Sequence, residues 1–298
     1  MNLTFKQLEA FLSSVKLHSF SAAAEKLHTT QSAISKRVAE LESVVGTPLL
    51  HRTAKGLEMT QGGRRLLPLA EEAQRLTGRI AAEMSADHTL KGNFRLGATE
   101  LIAMTWLTDF VRKIQVQHPA LVIEPVVDAG LSLFQGLETN RIDLVVIPGT
   151  YWGQDYATVK VGQVDDYWMA SPSIPLPDRP LQPAEFANYP ILEQSTGAAK
   201  NRYYEGWLAE HGFKFNKVLA TNSTTVLRQL AIGGFGIAQM ALDYVRPDIE
   251  AGRLRIVRCD PMPPPMVYSA VYRKDDASAA LDGIIDMAVE CCNFGLRP

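Results

Sequence analysis

The sequence predicts an α/β chain with an all-α-dominated head: a winged helix-turn-helix, a long helix, then two α/β lobes. Three observations predict it. Apolar stripes of helical period fill residues 5–45, two short apolar runs flank a glycine turn soon after, and beyond Asn93 strand-like and helix-like runs alternate. At 298 residues there is room for two or three compact units. A composition of 46% hydrophobic and 21% charged residues fits a soluble globular chain and excludes a disordered one. No run approaches the roughly 18 apolar residues of a membrane span. Met1 to Ala10 lacks an apolar export segment, so a cytoplasmic location is expected.

In the head, Thr4 caps a helix striped by Leu8, Phe11, Leu12 and Val15. Ser21 caps a second, thin helix carrying Ala22, Ala23, Ala24 and Leu27. Thr30 caps a third, with Ile34, Val38, Leu41 and Val45 on one face and Gly46 at its end. Two short helices followed by a longer one have helix-turn-helix spacing. With that apolar face inward, the third helix presents Gln31, Ser32, Ser35 and Lys36 outward at its start, with Arg37 at the flank. These types suit base edges and phosphate: Gln pairs with adenine, Lys or Arg with guanine or phosphate, Ser with either. A polar helix start is equally often a solvated end without a partner. The stretch "TPLLHRTAKGLEMTQGG" favours the DNA reading, because Leu49-Leu50 and Leu57-Met59 around Ala54-Lys55-Gly56 make a hairpin decorated by His51, Arg52 and Lys55. Charge agrees. Residues 1–65 hold nine Lys plus Arg against five Asp plus Glu, net +4, which leaves 21 against 27, net −6, for residues 66–298.

A helix from Thr60 to about His88 carries Leu66, Leu67, Ala70, Ala73, Leu76, Ile80 and Met84, a stripe suited to pairing with a second copy. Pro68 predicts a bend or a tolerated proline in the second turn. "KGNF" at Lys91 to Phe94 reads as a hinge. Then "FRLGA", "LVIEPVVD" and "DLVVI" read as strands around the helices "LIAMTWLTDFVRKIQ" and "SLFQGLETN", giving a largely parallel sheet. A second run follows Asp165: strands "DYWMAS", "YPILEQ", "KVLAT" and "GFGIAQM", with helices at about 198–211 and 224–232. "MVYSAVYR" and a helix at about 277–292 return to the first lobe. The expected boundaries are 1–60 for the winged head, 61–88 for the linker helix, 89–92 for the hinge, 93–164 with 266–298 for lobe I, and 165–265 for lobe II. Two such lobes leave a cleft between them.

At this point the chain resembles the LysR-type transcriptional regulators of bacteria. The resemblance is carried by "LEAFLSSVKLHSFSAAAEKLHTTQSAISKRVAELESVVGTPLLHR" and "TQGG" in the head, and by "RLGA", "RIDLVVI" and "AIGGFGIA" further on. It implies a winged helix-turn-helix, a homodimer through the linker helix within a homotetramer, and an effector domain like a periplasmic binding protein. The implied partners are double-stranded DNA, a small-molecule effector and RNA polymerase. Gln31, Ser32, Ser35 and Lys36 match the family's DNA-contacting positions and Arg52 its wing contact. His51 stands where the family has Phe, and Lys36 where Arg is usual, which gives up bidentate geometry.

The family's pocket segments match Ala98-Thr99-Glu100 and Ser195-Thr196-Gly197 with Arg202; Pro148, Gly149 and Asn222 lie at comparable positions. Helix starts and hydroxyls there suit a carboxylate, sulfonate or phosphate, against which Glu100 is repulsive. Phe94, Met104, Trp106, Tyr151, Trp152 and Trp168 could wall an aromatic effector, although large apolar residues more often fill cores. An enzyme is not expected: GxSxG, HExxH and GxxxxGK[ST] are absent, and the six His at 18, 28, 51, 88, 118 and 211 show no metal-ligand spacing. The alternatives are a small-molecule binding protein of periplasmic-binding-protein type without DNA activity, or a repressor with no effector. Cys259, Cys291 and Cys292 read as reduced thiols, and none falls at 195–211, so peroxide is not the expected signal and no cofactor is expected.

Overall fold

The computed structural model describes residues 3–53, 56–83, 90–150, 152–195 and 198–296. The chain divides into two compact units, Met1–His88 and Thr89–Pro298.

In the first unit, α1 (Phe5–Leu17), α2 (Phe20–Lys26) and α3 (Gln31–Val45) close around Phe11, Ile34 and Leu41, all fully buried. α1 begins after Thr4, whose N–H donates to Gln7 Oε1 at 3.0 Å. α2 begins two residues earlier than the sequence suggested. Ser19, in extended conformation, is its cap and accepts from Ala22 N at 3.3 Å, which places Phe20 in the first turn against the core. α3 starts and stops as read: Thr30 Oγ1 accepts from Ala33 N at 3.2 Å, and Gly46 closes the helix at φ +74°. The hairpin β1 (Leu50–Thr53) and β2 (Gly56–Met59) follows, with Leu50 opposite Met59; the expected turn residues Ala54 and Lys55 lie outside the described residues. Gly56 has φ +125°, and a Cβ there would stand 2.7 Å from His18 O, the atom that accepts from Leu57 N.

Helix α4 (Gln61–Glu83) is capped by Thr60 Oγ1, which accepts from Gly63 N at 3.0 Å. The "GG" has a steric cause: a Cβ on Gly63 would lie 2.2 Å from Leu49 O. Pro68 sits in the second turn without ending the helix. The apolar stripe divides. Leu66, Leu67, Ala70 and Ala73 pack on the head, whereas Leu69, Leu76 and Ile80 are exposed; Met84 to His88 lie outside the described residues.

The second unit runs β3 (Gly92–Ala98), α5 (Glu100–Thr105), α6 (Leu107–Gln117), β4 (Leu121–Val127), α7 (Gly130–Glu138), β5 (Leu144–Pro148) and β6 (Tyr156–Val164). It continues with β7 (Asp166–Ala170), β8 (Pro190–Gln194), α8 (Ala199–Glu210), β9 (Asn216–Thr221), α9 (Thr224–Ile232), β10 (Ile237–Ala241) and α10 (Leu242–Glu250). It ends with β11 (Arg255–Ile256), β12 (Met266–Arg273) and α11 (Ala279–Cys291). One sheet has the order β4-β3-β5-β12-β6 and the other β11-β7-β10-β8-β9. The parallel expectation needs correcting: β3, β4 and β5 are parallel, as are β8, β9 and β10, but β6, β7, β11 and β12 pair antiparallel.

Other differences are local. The helix expected over "LIAMTWLTDFVRKIQ" breaks at Trp106, whose indole is fully buried against Phe110 and Phe294. β3 starts at Gly92, inside the stretch read as a hinge. β6, α10 and β11 were not read; α10 carries Pro247 internally, and that proline masked it. Asp248 on α10 is fully buried and accepts from Arg228 Nη2 at 2.9 Å and from Arg253 Nε at 2.8 Å, pinning α9 to α10. The chain passes between the lobes twice, from β6 through Asp165 to β7 and from β11 back to β12. Val164 and Met266, where both passages leave lobe I, are paired strand residues.

Candidate functional site

On the first unit, the inward face of α3 is fixed by Ile34, Val38 and Leu41, so Gln31, Ser32 and Lys36 are exposed and Ser35 and Arg37 half-buried beside them. Ser32 Oγ lies 3.0 Å from Thr30 Oγ1, beside the cap. Lys36 is 78% exposed, and its ammonium stands 4.0 Å from Glu40, a contact loose enough to leave it available to another anion. On β1, Arg52 is exposed with its guanidinium 5.6 Å from the Phe20 ring centroid, which supports the charge from below. Glu42 Oε1 accepts from Leu49 N at 2.7 Å and Leu50 N at 3.1 Å, so α3 itself fixes where the hairpin begins. His51 faces Glu58 across the hairpin at 3.7 Å.

On the second unit, a cavity of about 370 Å³ opens between the two sheets. Of the residues singled out from the sequence, Thr99, Glu100, Pro148, Ser195 and Asn222 line it. Ala98 is buried beneath β3's end, Gly149 packs against Trp152, and the Arg202 guanidinium lies over the Trp152 ring at 5.2 Å; none of the three lines the cavity. Thr196, Gly197 and Tyr151 lie outside the described residues. The large apolar candidates are core: Phe94 and Trp106 belong to the main cluster, Trp168 packs on Phe186, and Trp152 packs on Phe134. Met104 meets Thr225 Oγ1 through its sulfur.

Sequence reasoning missed the charged centre of this cavity. Lys200 Nζ lies 2.8 Å from Asp166 Oδ2 and also donates to the Gln239 carbonyl. Burial pushes the Asp166 carboxyl up, and the Lys200 charge opposes that rise. Two helix starts flank the cavity. α7 follows Ala129 and α8 follows Ala198, and neither alanine can cap, so both starts direct backbone N–H groups outward. They meet across the cleft: a Cβ on Gly130 would come within 2.5 Å of the Ala199 Cβ. Thr99 Oγ1 is shielded from solvent on the cavity wall, beside the Tyr268 hydroxyl.

Glu100 also does something no local signal indicated. Its carboxylate leaves α5 and reaches the start of α9 in the other lobe. It accepts from Ser223 Oγ at 2.9 Å, Thr225 Oγ1 at 3.0 Å, Thr225 N at 3.4 Å and Thr224 N. Among the described residues, no group of three His, Cys, Asp or Glu is placed to hold a metal ion, and no helix is long and apolar enough to cross a membrane.

Residues 5–64 match the family described as bacterial regulatory helix-turn-helix protein, lysR family, and residues 87–292 match the LysR substrate binding domain. The chain belongs to the LysR family. Among LysR-family relatives, it is 27% identical over 275 residues to the HTH-type transcriptional regulator DgdR of Burkholderia cepacia, covering 92% of this chain and 88% of the relative. It is also 27% identical over 263 residues to the regulator CfxR of Cupriavidus necator, covering 86% and 81%. In fold it is similar to full-length OxyR from Pseudomonas aeruginosa, with a TM-score of 0.70 at 16% identity, covering 98% of this chain and 99% of that one. A Corynebacterium glutamicum OxyR mutant gives 0.68 at 18% identity, covering 98% and 93%. This LysR-family chain is therefore a transcriptional regulator with a DNA-binding helix-turn-helix and an effector-binding domain, and not an enzyme.

Proposed function

We propose that this regulator contacts its operator through Gln31, Ser32, Ser35, Lys36, Arg37 and Arg52, and that a small organic anion bound in the cleft controls that binding or the bending of the DNA. The anion is a carboxylate or sulfonate, aromatic or aliphatic. The observation that carries this reading is the cavity of about 370 Å³ where the uncapped starts of α7 and α8 meet, with Lys200 and the Thr99 hydroxyl on its wall. Helix starts and an ammonium stabilise a bound anion, and the volume suits a small ligand. Thr99, Pro148, Ser195 and Asn222 are assigned as effector contacts, with Lys200 and Tyr268 added.

In the same reading, residues 1–60, 61–88, 89–92, 93–164 with 266–298, and 165–265 are the functional segments, and the exposed Leu69, Leu76 and Ile80 of α4 pair with a second copy in a cytoplasmic homotetramer. An effector that binds one lobe arrangement better than another shifts the equilibrium between them. That shift changes the spacing of the paired heads and the bend of the DNA, and with it access for RNA polymerase. Thermal unfolding of the full-length protein against a panel of aromatic and aliphatic carboxylates and sulfonates tests the effector. A stabilising hit that disappears in Thr99→Val and Lys200→Met supports the assignment; no hit across the panel with DNA binding intact removes the anionic effector.

A further inference from the structure

Glu100 occupies the end of the cleft where an acid would be most welcome. Its carboxylate draws on two hydroxyls and two backbone N–H groups of Ser223, Thr224 and Thr225, which together saturate the positive start of α9. An acidic residue at the first position of a helix ordinarily favours its own helix. This one serves a helix of the opposite lobe, and Glu100, Asn222, Ser223 and Thr224 all line the same cavity.

We infer that Glu100 is a tethered carboxylate that determines which acids the regulator admits. The inference rests on the cleft being the effector site. An acid entering the cavity competes with a group already attached to the chain, whose effective concentration is in the millimolar range or above for a short tether. Simple monoacids therefore fail to displace it. A ligand succeeds only by adding contacts elsewhere in the cavity, at Lys200 or at the starts of α7 and α8. Displacement also frees lobe I from α9, so admission of the correct acid and loosening of the inter-lobe tie are one event.

The test uses the full-length chain, thermal unfolding, and acetate as probe against chloride at equal ionic strength. Glu100→Ala is expected to unfold about 4 °C or more below the natural chain, from the loss of hydrogen bonds to a charged group. Acetate at about 100 mM should restore at least half of that loss while moving the natural chain by less than about 1 °C, an apparent affinity at least roughly tenfold tighter in the variant. Glu100→Gln, which keeps the space filled, should show no acetate response. Equal acetate responses in the natural chain and in Glu100→Ala would overturn the inference, as would an unchanged unfolding temperature. Should Glu100→Ala fail to fold, a cycle of Glu100→Gln with Ser223→Ala decides: non-additive losses support the contact and additive losses refute it. A positive acetate rescue beside a blank effector panel would establish that the start of α9 accepts a carboxylate but, with no acid admitted to the natural chain, would sink the anionic-effector reading and with it the selective role of Glu100. An effector hit without acetate rescue would keep the anionic-effector reading and overturn the inference about Glu100 alone.

Discussion

Lys200 Nζ and Asp166 Oδ2 lie 2.8 Å apart, with the ammonium 13% exposed and the carboxylate 1% exposed. A carboxyl whose folded pKa is raised contributes stability at pH below its unfolded value and loses it as pH rises through the folded value. Asp166 is raised by burial against the pull of Lys200. Removing Lys200 raises it further. Lys200→Met is therefore expected to lose progressively more stability relative to the natural chain as pH rises, reaching about 3–5 kcal/mol where the carboxylate is charged and unpaired. Unfolding as a function of pH checks it, and adding Asp166→Asn should return most of the loss at the higher pH.

Asp248 behaves in the opposite sense. Burial pushes its carboxyl up, but hydrogen bonds from Arg228 and Arg253 outweigh burial and the net shift is downward. A lowered carboxylate contributes stability above its unfolded value and loses it as pH falls through the folded one. Asp248→Asn should cost about 3–5 kcal/mol at neutral pH, because Arg228 is left half-buried without its anion. The deficit should shrink on acidification below about pH 4. A constant deficit down the acid limb would contradict the pairing.

DNA contacts separate by what they read. Gln31→Ala should relax base preference at its half-site position by about 1–3 kcal/mol of discrimination. Arg52→Ala should weaken binding to every sequence and lower the salt slope by about one. Binding titrations against operator and scrambled DNA at several salt concentrations distinguish them; identical behaviour of the two variants would show the roles misassigned.

The N-terminal helices were legible because their signals are local: Thr30, Gly46 and the Ile34, Val38, Leu41 stripe lie within one short stretch. Ser19 and Ser21 could each cap α2, and the choice fell to the packing of Phe20. The break at Trp106 has no glycine or proline to announce it; burial of the indole decides it. Pro247 concealed α10 by signalling a stop where the helix continues. In the cleft, Thr99 and Ser195 were readable as residues beside strand ends. The Lys200 pair and the reach of Glu100 to α9 were not, because each joins segments remote in sequence: the first depends on how α8 lies against β7 and β10 of one sheet, the second on how the two lobes face each other.

The thiols give a further expectation. Burial pushes Cys259 up to about 12 and Cys292 to about 11. Cys292 Sγ also stands 2.5 Å from where a Cβ on Gly162 would be, so it is packed against β6. Thiols held protonated at neutral pH are poor nucleophiles. Treatment with hydrogen peroxide should leave operator affinity within about twofold and form no disulfide at Cys259. Mass spectrometry after oxidation, with a parallel binding titration, checks both.

The two passages between lobes depart side by side, at the paired residues Val164 and Met266. A covalent connection made of two adjacent strands favours rotation about one axis over sliding or twisting once the Glu100 tie is released. A ligand in the cavity is then expected to act on the rest of the molecule chiefly through one quantity, the opening angle it imposes. Two chemically unrelated ligands that hold the same angle should give the same transcriptional output.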